Sequence, residues 1–282
     1  MKKILSLLLA VMALLGCLAL SGCGEQQPET PAYLDLISNL DTPIKAKLKK
    51  VGMVPYDGDF GVAQGACTDG KYIYVILENQ KVDGEGGYQK NDHYGKIFKV
   101  DPATMKIVAK SEPLLIDHGN DVTYNPKTKQ LIVVHNAPNR KKLSFVDSET
   151  LTVTDTLTHS ELEMYAIAYN EKTDQYVVGL SHGYDFAILD NQFNLVQKFS
   201  GKVTGYTKQN FDCDEKYIYM LQYNSNTIQV YDWDGNFVRE IALNYIEEPE
   251  SLLHIGSQFY YTTYMGGKNG GRILTIEFQE DK

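Results

Sequence analysis

Between residues 118 and 136 the chain reads HGNDVTYNPKTKQLIVVHN. Two imidazoles (His118, His135) and a carboxylate (Asp121) are the groups that acid/base chemistry or a divalent metal site employs. The same residues also suit the polar ends of two structural strands. No HxH or HExxH spacing joins them. Hydrogen-bonded histidines are therefore favoured, and a divalent metal is the less favoured cofactor. A nucleophilic triad is disfavoured too, because neither Ser181 nor Ser251 lies at a strand-to-helix nucleophile elbow.

What would position these groups is a repeat. Segments opening at residues 64, 120, 165, 209 and 250 share one pattern: a polar opening, small or apolar residues, a polar turn and a β-rich run. After each of the first four comes a second pattern of strand, Asp, turn and strand, closing on Asp101, Asp147, Asp190 and Asp232. An Asp there can bond the turn backbone. Units of about 40–45 residues with four alternating strands are blades of a β-propeller. The fifth unit runs out after GGRILTIEF (270–278), without a fourth strand. The β-like run KAKLKKVGMVP (45–55) stands ahead of the first unit and is free to supply it. The expectation is all-β, a five-bladed propeller whose last blade takes its outer strand from the N-terminal segment.

Folding the repeat into a ring gathers strand ends at one channel mouth. Gln64, Asn120, Tyr165, Gln209 and Glu250 open the inner strands. His135, Asn136, His182, Tyr223 and Tyr264 end the second strands, and these ten form the candidate ligand-binding rim. His118, Asp121 and Glu163 are the candidate catalytic groups. Amides, carboxylates, imidazoles and phenols around a concavity suit a small polar molecule, a glycan or a protein. The long insertion at 80–95, with Tyr88, His93 and Tyr94, overhangs the same face as a lid or contact loop. Two apparent motifs are set aside. Trp233-Asp234 sits in a turn and does not recur, and the Asp232-x-Asp234-x-Asn236 run lacks the Gly and Glu of a calcium loop.

Over residues 45–282 the chain resembles the secreted propellers of the YncE, NHL and SMP-30 type. Its opening AQGACTDGKYIYV is similar to the first blade of the five-bladed glutaminyl cyclases, although no complete catalytic motif of theirs is matched. Lys2 and Lys3, an apolar run to Leu20, and Leu20-Ser21-Gly22-Cys23 resemble the signal and lipobox of bacterial lipoproteins. That resemblance implies a signal peptide at 1–22, a lipidated Cys23, a tether over 23–43 and the propeller over 44–282. It places the protein on the extracytoplasmic face of the cell membrane, held by lipid rather than spanning it.

Without the signal, 25 Lys and Arg stand against 36 Asp and Glu, a formal charge of −11. Such a balance disfavours nucleic acid as a partner. Cys67 and Cys213 fall in non-adjacent units and read as small buried hydrophobes, not a disulfide. The sequence thus favours a membrane-anchored binding lipoprotein. An extracytoplasmic enzyme using rim His, Asp and Glu, such as a cyclase or a sugar-acting lyase or hydrolase, is the alternative, and a scaffold is the third reading.

Overall fold

The computed structural model describes residues 36–79, 93–182, 185–202, 208–265 and 271–281. Its strands fall into five antiparallel sheets in a ring, a five-bladed β-propeller. Blade 1 comprises Phe60–Thr68, Ile73–Asn79, Tyr94–Asp101 and Lys106–Lys110, with a two-residue strand Leu114–Leu115 paired to the start of the third. Blade 2 is built from Asp121–Asn125, Gln130–Val134, Lys142–Asp147 and Val153–Thr158, and blade 3 from Met164–Asn170, Gln175–Leu180, Phe186–Leu189 and Leu195–Phe199. Lys208–Cys213, Tyr217–Gln222, Thr227–Asp232 and Phe237–Ala242 make blade 4.

Blade 5 closes the ring with chain from both ends. Glu248–Ile255, Gln258–Tyr264 and Gly271–Glu280 are followed in the sheet by Ile44–Met53, paired antiparallel from Ile44 opposite Glu280 to Met53 opposite Arg272. The closing strand alternates: Ile44, Ala46 and Leu48 pack into the core, and Lys45, Lys47 and Lys49 are exposed. Part of the segment expected as tether is docked ahead of it. Ile37 is fully buried in the apolar cluster between blades 4 and 5, and Arg239 donates to the carbonyls of Asn39 and Thr42.

Burial follows the radius. The inner strand Phe60–Thr68 is buried at all but its last residue, whereas the outer strand Val153–Thr158 is almost wholly exposed. Each pair of neighbouring blades encloses one apolar cluster. Val122, Leu131 and Tyr74 lie between blades 1 and 2, for example, and Phe186, Phe211 and Tyr231 between blades 3 and 4. The core is therefore five inter-blade wedges, each of which needs both of its blades. The four Asp residues at the third turns act as expected: Asp101, Asp147, Asp190 and Asp232 accept backbone N–H groups two to four residues on. Trp233 and Asp234 occupy one of these turns, and the Trp233 indole donates to the Asp214 carbonyl.

A chain beginning at Val54 leaves Gly271–Glu280 as an open edge over an uncovered wedge. It is expected to aggregate or melt non-cooperatively, whereas a chain beginning at Leu36 keeps the full chain's melting temperature. Thermal melts with size-exclusion chromatography check this.

Candidate functional site

The inner strands enter the ring irregularly. Pairing slips between Ala63 and Ala66 in blade 1, Met164 and Ala166 in blade 3, Lys208 and Asn210 in blade 4, and Pro249 and Ser251 in blade 5. The residues left over at these bulges are Gln64 with Gly65, Tyr165, Gln209 and Glu250. A bulge turns a side chain out of the ladder, which suits it to re-aim groups at a channel mouth. In blade 2 the equivalent residue, Asn120, stands just ahead of its strand.

One step further in, the blades are tied across the axis. Asp121 is fully buried, and its carboxylate accepts from Val122 N (2.8 Å), Ile167 N (2.8 Å), Phe211 N (3.3 Å) and Asn210 Nδ2 (2.5 Å). Asn210 Oδ1 in turn accepts from Leu252 N (2.8 Å), and Ser251 Oγ donates to the Gln64 carbonyl (3.1 Å). The circuit thus runs through blades 2, 3, 4, 5 and 1. It is tight at Gly65, where a Cβ would lie 2.5 Å from Asp121 Cα, so only glycine admits the approach. Burial pushes the Asp121 carboxyl well above the usual carboxylate range, against the pull of its donors. Its place is that of a keystone rather than an accessible acid or base.

Above this belt lies a polar chain. Glu78 Oε1 pairs with His118 Nε2 (2.7 Å), and Asn136 Nδ2 lies 3.1 Å from His118 Nδ1. Asn136 Nδ2 also donates to Asn120 Oδ1 (3.1 Å), and Asn120 Nδ2 donates to the Tyr165 carbonyl (2.7 Å). Arg140 donates from Nε to Asn136 Oδ1 (3.0 Å) and stacks its guanidinium 4.5 Å from the Tyr165 ring centroid. The two ends of the 118–136 stretch therefore meet, joined to blades 1 and 3. His118 remains half exposed.

Towards blade 5 the rim is acidic. Gln209 Nε2 donates to Glu250 Oε2 (2.9 Å). Burial first, then the charges of Glu248 and Glu78, push the buried Glu250 carboxyl well above the usual range against that bond. Burial raises Glu248 as well. Tyr223 and Tyr264 are partly buried at the ends of their strands.

His135 departs from the expectation. It lies beneath the rim, 1 % exposed, because its ring is drawn inward between Asp117 Oδ2 (Nδ1, 2.6 Å) and Ser144 Oγ (Nε2, 2.7 Å). Asp117 also holds His93 Nδ1 at 2.8 Å, which ties the end of the blade 1 insertion to blade 2. Burial alone would raise the Asp117 carboxyl. Its bonds to His135 and Asn139 and the two imidazoles outweigh that and hold it below the usual range. Ser144 is fully buried too, so this Asp-His-Ser chain has the order of a triad without access for a substrate. Residues 80–92, including Tyr88, lie outside the described residues.

The three histidines expected at the rim do not converge. His118 pairs with Glu78, His135 with Asp117 and His182 with Glu163 (3.4 Å), each separately, and no group of three metal-ligating side chains occurs among the described residues. Cys67 and Cys213 are buried free thiols. Sequence reasoning missed Asp117, Arg140 and the pair His254–Asp212 (2.7 Å), since no spacing announces partners drawn from different blades.

Fold and rim together define a five-bladed propeller with a sealed waist and a polar mouth. No protein-family model and no curated protein matches the chain. Among solved structures it is similar to the glutaminyl cyclase of Myxococcus xanthus, with a TM-score of 0.59 at 14% identity, covering 85% of this chain and 100% of that one. It is also aligned with U3-55K, with a TM-score of 0.46 at 10% identity over 78% of this chain and 61% of that one.

Two substitutions check this geometry. Asp121→Ala strands several buried donors at once and is expected to cost about 3–5 kcal/mol in urea unfolding. Glu250→Gln keeps the shape and the bond to Gln209 but cannot ionise. A carboxyl with a raised folded pKa loses its stabilising contribution as pH rises above the unfolded value. The variant's stability relative to the native chain should therefore climb as pH rises above the ordinary carboxylate range, and an unchanged difference would contradict the assignment.

Proposed function

We propose that this chain is a lipid-anchored extracytoplasmic propeller whose rim binds a small polar ligand. The observation that carries the reading is the preset chain Glu78–His118–Asn136–Asn120 with Arg140 stacked on Tyr165, which spans three blades at one face. Groups so held need little reordering on binding. The acidic side, with Glu78, Glu248 and Glu250, suits an amine, and Arg140 and the amides suit carbonyl or hydroxyl oxygens. The lipobox-like Leu20–Cys23 supports attachment at Cys23.

A second reading is catalytic, favoured by the raised pKa of Glu250 and by the fold shared with a glutaminyl cyclase. In glutaminyl cyclisation the α-amine nitrogen bonds to the side-chain amide carbon, and the carbon–nitrogen bond to the departing ammonia breaks. A protonated Glu250 would give its proton to that ammonia and regain one from the attacking amine.

Thermal melts with glutamine, glutaminyl-glycine and N-acetylglucosamine test both. An amine-bearing probe is expected to raise the melting temperature by several degrees, and Asn136→Ala and Glu78→Gln should abolish the rise. No shift with any probe, or a full shift in both variants, would overturn rim binding. Ammonia release from glutaminyl-glycine that is lost in Glu250→Gln would establish the catalytic reading, and no release would remove it.

A further inference from the structure

The belt around Asp121 divides the channel, and the half away from the rim is a blind cavity of about 780 Å³. Its floor is the belt itself, through Val122, Phe211 and Leu252, and its wall is widened by Ala66 and Ala168. This volume lies within the range of small-molecule sites. None of the rim residues lines it.

Three features say what would fit. The floor is apolar. The mouth gathers Asp69, Glu171, Asp212, Asp214 and Glu215 against Lys172 and His254, and Lys172 is already bound to Glu215 (2.5 Å). Asp212 and His254 face each other at 2.7 Å and stay partly open, at 16 % and 22 % exposure. Thr123 is the third feature. It lines the cavity, is only 7 % exposed, and its hydroxyl has no hydrogen-bond partner among the described residues. A hydroxyl on the cavity wall can donate to or accept from a polar atom of a ligand.

We propose that this lower cavity is a second binding site, for a small organic cation with an apolar body. The body packs on Phe211, Val122 and Leu252, and the ammonium faces the carboxylates at the mouth, foremost Asp212. The site is independent of the rim and of whatever binds there.

Cys67 and Cys213 make it testable, since both thiols line the cavity and neither is paired. The full chain would be treated with methyl methanethiosulfonate, a small neutral reagent, with labelling at each cysteine read by peptide mass spectrometry. Benzylamine, benzyl alcohol and benzoate serve as probes. Benzylamine is expected to slow labelling of Cys67 and Cys213 at least tenfold more than benzoate does. Asp212→Asn should remove most of that preference, and Thr123→Met, which crowds the apolar floor without touching a charge, should cut protection at least threefold. The rim variant Glu250→Gln should leave protection unchanged, which separates this site from the rim. Equal protection by benzoate, protection unchanged by Thr123→Met, or no protection by benzylamine would each overturn the proposal.

Discussion

A single buried carboxylate holds this ring together. Five sheets around an axis bring five inner strands side by side without pairing them, so backbone donors and acceptors near the axis need other partners. Asp121 supplies them from one point. It accepts N–H groups from blades 3 and 4 and the amide of Asn210, whose own oxygen reaches Leu252 in blade 5. Gly65 lets blade 1 approach closely enough to complete the circuit. The outer seam, where Ile44–Met53 completes blade 5, closes the same ring from outside.

That belt has a functional consequence. The belt lies between the polar rim at one end of the inner strands and the cavity at the other, and the two ends differ in chemistry. The upper mouth carries the bulged and strand-end residues and is rich in amides and charges. The lower chamber has an apolar floor and an acidic mouth. The bulges matter because they release Tyr165, Gln209 and Glu250 from the ladder just where each strand reaches the rim.

Much of the fold was legible in the sequence because its causes are local. Period-two alternation marks strands, an Asp after the third strand marks its turn, and the missing strand of the fifth unit announces closure by the N-terminal run. The strand openings at Asn120, Tyr165, Gln209 and Glu250 were legible for the same reason, whereas Gln64 lies at a bulge four residues inside the strand Phe60–Thr68. What stayed hidden depends on neighbours far along the chain. His135 and Asn136 are adjacent at one strand end, yet only Asn136 joins the rim chain, since Asp117 and Ser144 draw His135 beneath it. Asp121 looked like an acid beside a histidine. Apart from the adjacent Val122, its donors come from residues 46, 89 and 90 positions away, and no local pattern encodes them.

Native-state amide exchange measures the belt directly. If Asp121 is the keystone, the amides of Ile167, Phe211 and Leu252 exchange only through global unfolding, together and at the free energy of the whole domain. Exchange of any one of them through a local opening well below that free energy would contradict the account, because the blades would then be held by their apolar wedges alone.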